Sequence, residues 1–109
     1  SLDDAAFTKR FRGRAIMRAK RDGLLRNACV ALGNVGTPGD LDALTGALAD
    51  PSPIVRGHAA WAVAALANRH GLTTIARTPL ENALVLEHDS AAREEFVLAL
   101  AELRGDTDG

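Results

Sequence analysis

An apolar pattern recurs three times along this chain, and a repeat of this length fixes the architecture more firmly than any local propensity. Leu24-Leu25-Arg26-Asn27-Ala28, Ile54-Val55-Arg56-Gly57-His58-Ala59 and Ala91-Ala92-Arg93-Glu94-Glu95-Phe96 align. Behind them Ala28, Ala59 and Phe96 fall together, followed by Ala31, Ala62 and Ala99, by Leu32, Val63 and Leu100, and by Val35, Leu66 and Leu103. The steps between copies are 31 and 37 residues, which suits one helix-turn-helix unit. Offsets of 0, 3, 4 and 7 put the four positions on one helical face. Small Ala at the leading offsets lets neighbouring helices approach closely, as stacked hairpins require.

Composition agrees. Hydrophobic residues make up 47% of the 109 residues but aromatics only 4%, so the core is one of Ala, Leu and Val, which favours packed helices over a β-sandwich. The expected fold is all-α: HEAT-like helical-hairpin repeats forming a short α-solenoid, with an N-terminal basic helical cap. The divisions are a cap over residues 1–23, a repeat domain over 24–104 and a disordered tail over 105–109. Within the cap, a short helix carrying Phe7 and Phe11 is expected to end near Gly13, and a second, over residues 14–21, to stop at Gly23. Together they would cover the first repeat's open apolar face.

Local signals punctuate the rest. Ser52-Pro53 offers an N-cap with proline at the first helical position, Thr78-Pro79-Leu80-Glu81 reads as a capping box, and Asp89 or Ser90 can cap the last helix. Leu41-Asp42-Ala43-Leu44-Thr45-Gly46-Ala47-Leu48 and Leu80-Glu81-Asn82-Ala83-Leu84-Val85-Leu86 are the first helices of their hairpins. Gly36-Thr37-Pro38-Gly39 and Asp50-Pro51-Ser52-Pro53 are short breaks, and Arg69-His70-Gly71 ends the long central helix. Residues 72–79 depart from the repeat and fit helix and loop equally.

Little here can carry chemistry. His58, His70 and His88 stand apart without metal-ligand spacing. Cys29, the single cysteine, falls on a buried face as an apolar filler. Gly33-Asn34-Val35-Gly36 lacks the strand and the Lys-Ser/Thr of a phosphate loop, and its glycines read as a helix end. Glu94, Glu95 and Glu102 read as a solvated face. No catalytic residue, cofactor site or metal site is expected. No apolar run approaches the ~20 residues of a membrane span, and one unpaired cysteine suits a reducing compartment, so the expectation is a cytoplasmic, monomeric protein away from membranes. The start at Ser1 and the polar end suggest a piece of a longer chain, although trimming would explain the start equally.

Charge supplies the positive signal. The net charge of -1 hides a division at Gly36: eight cations against three carboxylates before and including it, a net +5, and five against eleven after it, a net -6. The cations are Lys9, Arg10, Arg12, Arg14, Arg18, Lys20, Arg21 and Arg26. Arg14, Arg18 and Arg21 share a helix face at i, i+4, i+7 and could track a phosphate backbone; the alternative is a solvated, self-repelling cap. Arg26 and Arg56 begin equivalent helices, and a ridge of such side chains beside a basic arm makes a binding surface. His58 reads first as a partly exposed helix residue, and otherwise as an RNA contact beside Trp61. Trp61 itself is core unless a face is open, in which case it can stack a base.

Several strings resemble the C-terminal region of the tRNA epoxyqueuosine reductases: Phe11-Arg12-Gly13, Arg18-Ala19-Lys20-Arg21, Gly23-Leu24-Leu25-Arg26-Asn27-Ala28, Ala31-Leu32-Gly33-Asn34 and Val55-Arg56-Gly57-His58-Ala59-Ala60-Trp61-Ala62. The resemblance spans about residues 3–66, and the third hairpin matches only as a generic HEAT unit. It implies a non-catalytic module gripping the anticodon arm of tRNA in queuosine tRNA modification. Its contacts would be the eight cations named above together with Asn27, Arg56 and His58. Its other partners would be the catalytic and ferredoxin-like domains of a parent oxidoreductase, which hold the family's cobalamin and two [4Fe-4S] clusters. Two other roles stand beside this one. A protein-interaction scaffold would show an apolar groove and weak salt dependence. A tail that stabilises its parent enzyme would bury the basic arm against an acidic surface.

Overall fold

The computed structural model describes residues 2–105, less the side chains at 2–4, 6–8, 10 and 11. Among the described residues the fold is all-helical: α1 (Leu2–Val35), a 3-10 turn (Pro38–Asp40), α2 (Leu41–Ala47), α3 (Pro53–His70), α4 (Thr73–Leu86) and α5 (Ser90–Glu102). α3 is central, packing on all four other helices. The order of contacts gives the directions. Gly33 lies against Trp61 and Ala62, and Gly36 against Leu66, so α1 and α3 run parallel. Gly57 lies against Ala92 and Glu95, while Asn68 donates to the Glu102 carbonyl and accepts from the Arg104 amide, so α3 and α5 are parallel too. The return helices run the other way, as Arg21–Asp50 and Arg56–Glu87 contacts across hairpin ends require.

Most of the expected punctuation is present. The Ser52 hydroxyl accepts from the Val55 amide with Pro53 at the first helical position, and the Asp89 carboxylate accepts from the Ala92 amide at 2.9 Å. Gly71, at φ 70°, closes α3 in the left-handed conformation that glycine adopts without a Cβ penalty. Arg69 adds a cap that the sequence hides. Its guanidinium donates to the carbonyls of Leu32, Gly33 and Gly36, placing a cation at the negative end of α1.

Three expectations need correction. Residues 2–35 form one helix rather than two, because Gly13 and Gly23 each cost only about 1 kcal/mol and lie among Arg, Ala, Lys and Leu, all good helix formers. Gly33 likewise sits inside α1, and Gly36 is the glycine that follows its end. The arm does not fold back as a cap: every described side chain from Arg12 to Arg21 is exposed. The Phe7 and Phe11 side chains, and the tail after Gly105, lie outside what is described. The segment 72–79 is helical, and the supposed capping box at Thr78 falls inside α4. Pro79 withholds the amide that would bond the carbonyl of Ile75, which is an exposed residue.

The repeat register holds in α3 and α5 but not in α1. Ala59, Ala62, Val63 and Leu66 are buried, as are Phe96, Ala99 and Leu103, with Leu100 packed against the core. In α1, Ala28, Ala31 and Val35 are exposed, and the covered face is Cys29, Gly33 and Gly36 with Leu32 half-buried. The reason is position. α3 and α5 each have a helix on the side that these residues face, whereas among the described residues α1 has a neighbour only on its α3 side.

Candidate nucleic-acid interface

The arm is a single rod. Lys9, Arg12, Arg14, Arg18 and Lys20 are exposed on α1, no carboxylate occurs between Lys9 and Arg21, and none of the five has an ion-pair partner among the described residues. At 1.5 Å per residue they span about 16 Å of helix axis. Arg10 lies outside the described side chains. Arg26 and Asn27 are exposed further along the same helix, the Arg26 guanidinium lying back over Gly23.

Two of the expected contacts also hold the fold together. Arg21 donates to both oxygens of Asp50, the closer at 2.7 Å, and also to Asp22, which ties the arm's base to the α2–α3 turn. These hydrogen bonds raise the Arg21 pKa, and the same contact, helped by the Ser52 amide, lowers that of Asp50. Arg56 forms a fork with Glu87, Nε to Oε1 at 2.7 Å and Nη2 to Oε2 at 2.9 Å, while Nη1 donates to the Asp50 and Pro51 carbonyls. The Glu87 side chain is only 2% exposed, and its hydrogen bonds from Arg56 lower the pKa of its carboxyl. No continuous ridge from Arg26 to Arg56 exists, because Arg56 is turned into the joint between two hairpin ends.

His58 and Trp61 belong to a different feature. A groove of about 690 Å³ runs between α1, α3 and α5, lined by Val30, Asn34, Ile54, His58, Trp61 and Glu95 among others. Glycine shapes it. A Cβ on Gly33 would sit 2.5 Å from the Trp61 ring, so only glycine lets the indole lie flush on α1. Gly57 likewise lets the Glu95 stem lie across α3, with 3.3 Å from an added Cβ to Cγ. The His58 ring is anchored by Nδ1 donating to the Ile54 carbonyl at 2.8 Å. Glu95, read from the sequence as part of a solvated face, is exposed but forms one wall of this groove. Val30, Asn34 and Ile54 were not singled out as site residues. The available signal was Gly33 and Gly57, glycines inside helical patterns that mark close approach.

The chain is 41% identical over 71 residues to the epoxyqueuosine reductase of Xanthomonas campestris pv. campestris. That stretch is 64% of this chain and 19% of that protein, so the chain matches about a fifth of its relative. No family model matches, and no solved structure does.

The residues present do not fit an iron-sulfur cluster, one of the groups the resemblance brings to mind. Iron-sulfur clusters need several thiolates, and the sole cysteine is buried, its thiol pushed up by burial. Among the described residues no group of three His, Cys, Asp or Glu side chains could hold a metal ion. None of their helices is long and apolar enough to cross a membrane.

Proposed function

We propose that this chain is a HEAT-like, non-catalytic RNA-binding module of queuosine tRNA modification, gripping tRNA for an epoxyqueuosine reductase. The carrying observation is the arm: five exposed cations on one unbroken helix with no carboxylate partner among the described residues. Such a rod lays positive charge along a phosphate backbone and releases counterions when it binds. The similarity to part of an epoxyqueuosine reductase supplies the tRNA context, and the parallel stack of α1, α3 and α5 with antiparallel return helices supports the HEAT-like reading. Phosphate contacts of this kind position an RNA without reading it. The anticodon arm is the element presented, and cobalamin and cluster chemistry belong to the reductase's other domains.

Fluorescence anisotropy with a tRNA bearing a queuosine-type anticodon, repeated at several salt concentrations, tests this. Log affinity should fall with log salt at a slope corresponding to about three or more phosphates. Reversing Arg14, Arg18 and Lys20 to Glu should remove binding with the fold intact; unchanged affinity overturns the proposal. Arg21 is left out of that variant because it clamps Asp50. The groove favours one second reading, a protein-interaction scaffold, which predicts binding to a protein partner that survives high salt.

A further inference from the structure

We propose that the groove between α1, α3 and α5 receives an unstacked guanine base from RNA held by the arm, an inference resting on the RNA-binding reading above. No Lys or Arg lines the groove, while two carboxylates, Asp89 and Glu95, do. A phosphate would meet no cation there. Asp89 is occupied, its carboxylate capping α5 through the Ala92 amide. Glu95 accepts no hydrogen bond among the described residues, and its stem lies across Gly57. An ionised carboxylate only accepts, through two oxygens side by side. Guanine is the standard base whose Watson–Crick edge carries two adjacent donors, N1–H and the N2 amino group. Adenine and cytosine pair one donor with an acceptor, and uracil sets its single N–H between two acceptors.

The remaining walls suit a flat ring. Trp61 offers aromatic surface, Ile54 and Val30 offer apolar surface, and the anchored His58 stands one turn from Trp61. The source of the base follows from continuity with the arm. Val30 and Asn34 lie on α1, ten and fourteen residues beyond Lys20, about 15 to 21 Å along the same helix. A strand following the cations can therefore deliver a base to the groove. A basic peptide would also meet Glu95, but the same arm repels it.

Trp61 is the only tryptophan and the chain has no tyrosine, so its emission reports on the groove directly. The protein is titrated with GMP, IMP and UMP, whose common phosphate cancels. GMP should quench Trp61 saturably, and IMP, which lacks the N2 amino group, should bind about threefold to tenfold more weakly. Glu95→Gln, an exposed change that leaves the fold in place, should erase the GMP–IMP difference. Equal binding of GMP and IMP, a difference that persists in Glu95→Gln, or saturable quenching by an oligoarginine peptide in place of GMP would each overturn the assignment. Repeating the titration in the Arg14, Arg18, Lys20→Glu variant separates the readings. Base-selective quenching that persists there keeps the groove assignment, while tRNA affinity in that variant judges the arm alone.

Discussion

The guanidinium of Arg56, partly exposed, meets the buried carboxylate of Glu87, each with further partners: the Asp50 and Pro51 carbonyls for the arginine, the Asp89 amide for the glutamate. A pair so placed costs most when half is removed, since the buried Glu87 charge then keeps only its backbone partner. Arg56→Ala should therefore lose about 3–5 kcal/mol in urea denaturation. Asp50 and Glu87 both have depressed pKa values in the folded state, so the unfolded chain protonates first as pH drops. Their contribution is whole above the unfolded values near 4, and is lost as pH falls through the lower folded ones. Melting temperature should hold level down to about pH 5 and decline below about pH 4, with a shallower decline in Glu87→Gln. The caps at Ser52 and Asp89 and the stop at Gly71 are legible in sequence because their partners lie within three or four residues. The roles of Arg21 and Arg56 are not, because their carboxylates lie 29 and 31 residues away.

At the scale of elements, the same repeat position has opposite fates in successive helices. Leu66 of α3 is fully buried, its side chain near Gly36 just past α1, while the equivalent Val35 of α1 is 77% exposed. Leu66→Ala should cost about 2–5 kcal/mol, because it opens a cavity in a packed layer. Val35→Ala should stay within about 0.5 kcal/mol, and paired urea melts of the two variants check the contrast. Equal costs would mean that α1 is covered on its outer side as well. Periodicity finds equivalent positions but not which helix has neighbours on both sides, and for that reason Ala28 and Ala31 were misplaced while Ala59 and Ala62 were not. The N-terminal half of α4 was illegible for a local reason: Pro79 imitates a helix start, and Leu72 at the true start offers no side-chain cap.

Across the whole molecule, cohesion and positive charge are separated. Among the described residues the buried core begins at Cys29 and the first tertiary clamp is Arg21 on Asp50, so the helix before residue 18 makes no described contact that holds the fold. Residues far from a core and without shared partners contribute additively, here close to zero. Removing residues 1–17 should leave the urea midpoint and melting temperature of the remainder essentially unchanged. Binding should respond quite differently. The deletion takes away Lys9, Arg10, Arg12 and Arg14 but keeps Arg18 and Lys20. Each cation withdrawn from a phosphate lowers the magnitude of the salt slope by about 0.7–0.9. The shortened protein should bind tRNA more weakly at low salt, with a visibly flatter dependence on salt, while GMP quenching of Trp61 persists, since every residue of the groove remains. A drop in melting temperature would show that the arm packs on the body. A salt slope that did not change would place the phosphate contacts elsewhere than on α1.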